Sequence, residues 1–186
     1  MNVLVACEFS GVVRRAFNSL GHKAWSCDLL DSEDSTEFHI QSDCVPIIKH
    51  GWDLIIMHPP CTAVCLSGNR WYGKGKPKHS ERIAAIEWTR SLFELAKKHS
   101  PRVAMENPVG VLGKPTQYVQ PWQFGHGETK KTGLYLYGLA PLVAIDVVEG
   151  RDQRVWKMGP SPHRGKERSR TYPGIALAMA QQWGDN

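Results

Sequence analysis

Three short apolar runs, each stopped by a turn of chemically unusual residues, constrain this chain more than any other feature. Residues 2–7 read Asn-Val-Leu-Val-Ala-Cys and run into Glu8-Phe9-Ser10-Gly11. Residues 52–57 read Trp-Asp-Leu-Ile-Ile-Met and stop at His58-Pro59-Pro60-Cys61. Residues 102–105 read Arg-Val-Ala-Met and stop at Glu106-Asn107-Pro108. Runs this short and this continuously apolar predict strands buried on both faces. Between them lie helical patterns. Val12 to Leu20 places Val13, Ala16, Phe17 and Leu20 on one side, with Gly21 as C-cap. Glu81 to His99 spaces Ile83, Ile86, Arg90 and Phe93 near the helical period, with Leu92, Leu95 and Ala96 adjoining. Lys23–Cys27 reads as a second strand. Lys131–Tyr137 and Leu142–Val148 have strand composition, and Tyr172–Trp183 holds a final helix after Pro173. The acidic stretch to Glu37 and the segment Gly68–Ser80 read as loops. Strands alternating with helices predict an α/β fold, a mostly parallel sheet with helices on both faces. Ligands bind such sheets at the carboxyl ends of the strands, which gathers Phe9–Gly11, Asp28, Asp43, His58–Cys61 and Glu106-Asn107 along one edge.

The chain is 186 residues long with 41% apolar and 22% charged residues, enough for one packed domain over 1–186 and too apolar for global disorder. It lacks the run of about 18 apolar residues that a membrane helix needs. The Met1-Asn2-Val3 start has no basic leader, so no signal peptide is expected. Five cysteines, an odd count without framework spacing, fit reduced thiols and a cytoplasmic setting. Charge is segregated. Asp28 to Asp53 carries seven acids against one lysine, Arg70 to Arg82 five bases against Glu81, and Arg151 to Arg170 seven bases against two acids. Two basic blocks point to a polyanion partner.

The turns carry the chemistry. Phe9-Ser10-Gly11 precedes a helix N-terminus, where free N–H groups and a glycine admit a ligand. Asp28, ending the second strand, suits ribose hydroxyls. Val12, Val13 and Arg14 stand where a dinucleotide loop would have further glycines, which disfavours a dinucleotide. Pro59 and Pro60 stiffen the exit from the third strand and fix where Cys61 points, the placement of a nucleophile; a buried structural thiol is the other reading. Glu106 suits proton exchange if partly desolvated. Cys61 and Cys65 lack a fourth ligand at zinc spacing beside His58 and His79, so no metal is expected. Cys7, Cys27, Cys44 and Cys65 read as structural.

Phe9-x-Gly11, then Pro60-Cys61-Thr62-Ala63-Val64-Cys65-Leu66-Ser67-Gly68, then Glu106-Asn107, in this order and at these strand ends, resemble the cytosine-carbon-5 DNA methyltransferases. That family reads Phe-x-Gly-x-Gly, Pro-Cys-Gln-x-Phe-Ser-x-Ala-Gly and Glu-Asn-Val. Here Thr62 stands for Gln, Val64 for Phe, Cys65 for Ser, Ser67 for Ala, and Pro108 for Val. The likeness covers residues 2–110 and implies a Rossmann-like, S-adenosylmethionine-dependent fold. It also implies DNA (cytosine-5-)-methyltransferase activity through a covalent cysteine adduct. By the resemblance, Cys61 is the nucleophile and Glu106 the partner of ring N3. Phe9, Ser10, Gly11, Asp28, Asp43 and Pro60 line the cofactor pocket. The mechanism calls for a Cys61 pKa lowered by basic neighbours and a Glu106 pKa raised by burial. Asn107, Arg70, Lys74, Lys130, Lys131, Arg168 and Arg170 are expected against nucleic acid, with cytosine flipped from a duplex or already single-stranded. Lys130 and Lys131 stand in for a Gln-x-Arg-x-Arg strand, and Trp71, Tyr72 and Trp156 are candidates to stack or wedge. The basic segment 149–170 takes the place of a large target-recognition region, a compactness suggesting a phage setting.

Three other readings stay open. An amino-methyltransferase would need Asp/Asn-Pro-Pro-aromatic, and His58-Pro59-Pro60-Cys61 lacks both ends of it. A related pyrimidine carbon-5 modifier would keep the cysteine addition but act on RNA or a nucleotide. A non-catalytic nucleic-acid-binding protein on the same scaffold would need neither Cys61 nor Glu106.

Overall fold

The computed structural model describes residues 1–184. Its sheet has seven strands in the order β3 (His39–Gln41), β2 (Lys23–Asp28), β1 (Asn2–Ala6), β4 (Leu54–Met57), β5 (Val103–Pro108), β7 (Thr132–Tyr137) and β6 (Gln117–Val119). The first five run parallel, and β7 runs antiparallel to both of its neighbours. The apolar runs at 3–6, 54–57 and 103–105 are the innermost parallel strands, and their side chains are almost wholly excluded from solvent.

Alternation along these strands feeds two cores. Val3, Val5, Leu54, Ile56 and Ala104 pack on one face against Val13 and Phe17 of α1 (Val12–Ser19). On that face they also meet Ile175, Ala176, Met179 and Trp183 of α7 (Pro173–Gly184). Leu4, Ala6, Ile55, Met57, Val103 and Met105 point the other way. They meet Cys44 and Ile48 of α2 (Cys44–Ile48) and Leu92 and Ala96 of α4 (His79–His99). Each fully buried side chain of this size contributes about 1.5–3 kcal/mol. Helices therefore cover both faces, as the alternating pattern predicts.

Several local expectations are corrected. Leu142–Val148 forms no strand. Val143, Ile145 and Val147 face solvent; the backbone is held by the side chains of Gln117 and Gln182 and by an isolated bridge of Asp146 to Phe124. In α4 the buried face is Arg82, Thr89, Leu92 and Ala96, and Ile83 is 52% exposed. Short elements went unread: β3, β6, α2, α3 (Asn69–Tyr72), α5 (Arg154–Lys157) and α6 (Arg164–Ser169). No described helix is long and apolar enough to cross a membrane.

Candidate active site at the carboxyl edge of the sheet

The turn after β1 is built around a carboxylate the sequence reading missed. Glu8 is buried; it accepts hydrogen bonds from the N–H groups of Val13 (2.8 Å) and Arg14 (3.3 Å). It thus fills the donor-rich start of α1 with the protein's own anion. Gly11 has φ 66°, in the left-handed region. A Cβ there would stand 2.5 Å from Arg14 Nη2 and 2.8 Å from Asp34 Oδ2. The glycine therefore admits a close approach by these side chains, whereas the sequence suggested an approach by ligand.

Arg14 is buried, and both it and Arg15 pair with Asp34 in the acidic loop. Glu33 next to it binds Arg170 (2.7 Å) and Lys166 (3.4 Å), and its N–H donates to Phe9 O. Lys166 lies 4.9 Å from the centre of the Phe9 ring. The acidic loop and α6 thus form a charged strap over the Phe9-Ser10-Gly11 turn. Burial alone would raise both carboxyls, yet hydrogen bonds and cationic neighbours win. Ser32, Arg14 and Arg15 hold Asp34 well below the usual range, and Arg170 and Lys166 lower Glu33. A cleft of about 360 Å³ opens beside the strap, lined by Ser10, Val12, Arg15, Glu33, Asp34 and Arg170.

Asp28 and Asp43 sit together at the next two strand ends, since Ser42 N–H donates to Asp28 O (3.0 Å). Asp28 Oδ1 accepts from Leu30 N–H. Asp43 caps α2, its Oδ1 accepting from Val45 N–H at 2.9 Å.

The turn after β4 carries Cys61. His58 N–H donates to Ala6 O on β1, Pro59 is buried, and Pro60 is exposed. Beyond Cys61 the chain is pinned from α4 by Arg82, a second residue the sequence left unread. Its buried guanidinium donates to Ala63 O (2.6 Å), Asn69 Oδ1 (2.7 Å) and Cys65 O (3.2 Å).

β5 does not stop at Met105 as the sequence suggests but continues through Glu106, Asn107 and Pro108, which pair with β7. Glu106 accepts a hydrogen bond from His58 Nδ1 at 3.1 Å. Burial raises its pKa, but the His58 hydrogen bond and the charge of Lys130 outweigh this and the net shift is downward. Burial and the negative charge of Glu106 push the Cys61 thiol up to about 11, with Lys130 opposing weakly. Both directions reverse the expectation from sequence. The physical reasons differ: burial and the neighbouring Glu106 charge disfavour a thiolate at Cys61, whereas the His58 hydrogen bond and the Lys130 charge favour the carboxylate at Glu106. Asn107 is buried; its Nδ2 donates to Pro59 O at 3.5 Å, so the ends of β4 and β5 are tied twice.

The expected nucleic-acid residues divide into groups. Lys130 acts electrostatically on both Cys61 and Glu106, and its Nζ donates to Arg170 O. Lys131 lies over the Tyr118 ring (4.2 Å). Arg70 and Lys74 are exposed beside the Cys61 turn; Arg70 lies 5.5 Å from the Trp71 ring, which is itself 54% exposed. Arg168 is half-buried on α6, while Arg170 belongs to the strap. Trp156 is largely exposed and Tyr72 half-buried.

No protein-family model and no curated protein sequence matches the chain. Solved structures do resemble it. One is a protein assigned as a DNA modification methyltransferase encoded within an E. coli prophage. It superposes with a TM-score of 0.56 at 11% identity, over 86% of this chain and 55% of that one. The Entamoeba histolytica methyltransferase EhMeth (TM-score 0.48, 11% identity, 82% and 57% coverage) superposes less well. So does S. pombe Dnmt2 methyltransferase (0.47, 14%, 86% and 56%), and neither likeness carries weight. The chain spans about half the length of these proteins. The strand order, with antiparallel β7 between β5 and β6, and the prophage likeness define an α/β, Rossmann-like methyltransferase fold.

Proposed function

We propose that the chain is a DNA (cytosine-5-)-methyltransferase that uses S-adenosylmethionine and a covalent adduct at Cys61. The observation that carries this reading is the pairing of Cys61 with Glu106 across neighbouring parallel strand ends, near enough that the carboxylate's charge perturbs the thiol. A fold that only bound nucleic acid would need neither the thiol of Cys61 nor the carboxylate of Glu106.

The cofactor edge suits S-adenosylmethionine chemically. Asp28 and Asp43 offer carboxylates for ribose hydroxyls and an exocyclic amine. The cleft beside Ser10 offers cations (Arg15, Arg170) and anions (Glu33, Asp34) to the zwitterionic amino-acid end. When bound, the cofactor supplies an electrophilic methyl group. Phe9, Gly11 and Pro60 complete the pocket wall in this reading.

The pair already holds the right number of protons. In the free protein the proton sits on Cys61 sulfur and Glu106 is ionised. Addition to carbon 6 requires a thiolate, and activation of the ring requires a proton at N3. The net change is therefore one proton moved from sulfur to the carboxylate–N3 side. A cytosine N3 lone pair facing Glu106 raises its affinity for that proton. Loss of the Glu106 charge in turn makes the thiol a stronger acid, so base entry drives both changes in one direction. Lys130 favours the thiolate and tempers the field of Glu106.

A base in duplex DNA must leave the stack to reach Cys61. In this reading Arg70, Lys74 and Trp71 flank the entry, and Asn107, Lys131, Arg168 and Arg170 provide further contacts. Residues 1–186 form one catalytic domain, with 149–170 in place of a target-recognition domain. The test is covalent trapping on DNA containing 5-fluorocytosine with S-adenosylmethionine, where fluorine cannot leave carbon 5 as a proton does. The expected result is a denaturant-resistant, cofactor-dependent adduct mapped to Cys61. Cys61→Ala should abolish transfer while leaving cofactor binding nearly intact. Absence of an adduct on duplex and single-stranded DNA alike would overturn the DNA reading and turn attention to RNA or nucleotide substrates.

A further inference from the structure

His58 is the least expected side chain at the strand ends. Its side chain is only 9% exposed, its Nδ1 meets Glu106 Oε2, and its Nε2 is buried without a partner among the described residues. A buried ring nitrogen left unpaired is destabilising. An apolar side chain would fill the same space without that cost, so the residue's value lies in what Nδ1 does.

The His58 backbone is fixed on one side by its N–H bond to β1 and on the other by two prolines. Imidazole and thiol, three residues apart, therefore leave one rigid turn. Asn107, next to Glu106, closes the same turn through Pro59 O. The groups facing the Glu106 carboxyl are His58 and Cys61 from the β4 turn, and Lys130 and Thr132 from the start of β7. Tyr172 lines the adjoining small cavity, and its hydroxyl is committed to Glu128. Among these, His58 aims a ring N–H at Glu106 Oε2, and the Thr132 side chain adds a second hydrogen bond to the carboxyl.

We propose that His58 is a positioning residue for base activation. By taking Oε2 it fixes the plane of the Glu106 carboxyl and leaves the other oxygen for the ring nitrogen of the pyrimidine. The inference rests on the function proposed above. Its chemistry is simple: the Nδ1–H bond stabilises the carboxylate both before it takes up the proton released by Cys61 and after that proton has passed on to N3. Without that donor, burial of Glu106 is opposed mainly by Lys130, and the carboxyl holds its proton to higher pH.

The test titrates the Glu106 carboxyl by carbon-13 NMR in the cofactor-free protein, with the signal assigned by Glu106→Gln. In parallel, kcat/KM for methyl transfer is followed against pH. His58→Phe keeps a ring and removes the donor, and His58→Leu serves should the first fail to fold. His58→Asn places an amide N–H near the Nδ1 position. The apolar variants should raise the Glu106 midpoint by on the order of one pH unit, a tenfold change in proton affinity. The acid limb of kcat/KM should move with it, and Asn should restore both. An unchanged midpoint overturns the inference. So does a moved midpoint with an unmoved acid limb, because His58 would then be structural. If the wild-type protein transfers no methyl group to any DNA, the proposed function falls. The NMR titration still decides whether His58 governs Glu106.

Discussion

Arg82→Met removes the three hydrogen bonds that pin the Cys61 turn while keeping the apolar stem and helix propensity of α4. The guanidinium is buried, and its partners are two backbone carbonyls and one side-chain amide oxygen. Hydrogen bonds from a charged donor are worth about 1.5–3 kcal/mol net, and buried acceptors left alone cost roughly 1–3 kcal/mol each. These terms overlap, and relief of the buried charge offsets part of them, so the expected loss is about 3–5 kcal/mol. A domain is typically stable by about 5–15 kcal/mol, so the variant should still fold. The loss should concentrate in the segment 61–72, which owes few other ties to α4. Cys65 is buried inside that segment and reports its opening. Alkylation of Cys65 at fixed pH should accelerate on the order of a hundredfold, with new proteolytic cleavage at Arg70 and Lys74. If Cys65 reacts at the wild-type rate and the denaturation midpoint is unmoved, Arg82 does not organise the turn.

Two further outcomes follow from charge. Cys61 should react slowly with iodoacetamide at neutral pH, with the rate climbing towards about pH 11, and Glu106→Gln should move that rise to lower pH; a profile indifferent to Glu106 refutes the coupling. The strap should fail in acid. Glu33 and Asp34 are depressed carboxylates, so their contribution is present above the ordinary carboxylate range and disappears as pH falls through their folded values. Amide and side-chain NMR signals of 29–37 and 164–170 should shift together below about pH 4, and Glu33→Gln should loosen 164–170 at neutral pH; independent behaviour of the two segments would sink this account.

The strands that place the site are legible because each contains a continuous apolar run; β1 and β4 end close to the turn residues that follow, whereas β5 carries Glu106, Asn107 and Pro108 on within its ladder to β7. Asp28 and Asp43 could be placed for the same reason. What escaped the sequence was pairing between distant side chains. Nothing in the local pattern tells that His58 bonds Glu106, or that Arg14 leaves the polar side of its helix to meet Asp34. Glu8 did leave a signal: an acid just ahead of a glycine turn and a helix start can cap that helix. The directions of the Cys61 and Glu106 shifts are not legible in sequence because they depend on burial of the thiol beside Glu106 and on the hydrogen bond and charge that His58 and Lys130 bring to Glu106 from other parts of the chain. Leu142–Val148 shows the opposite failure: its composition suits a strand, yet it makes only the isolated Asp146–Phe124 bridge.

The ladder that joins the two halves of the site is built from remote parts of the chain. Val3 pairs with Leu54, and Ile55 with Val103. Such contacts form only after long loops have closed, which makes assembly slow and strongly concerted. The Phe9 turn and the Cys61 turn hang from adjacent rungs, tied by the His58 N–H bond to Ala6. A partly folded chain therefore holds neither the Phe9 turn nor the Cys61 turn in its final place. On refolding, both halves of the site should return in a single kinetic phase.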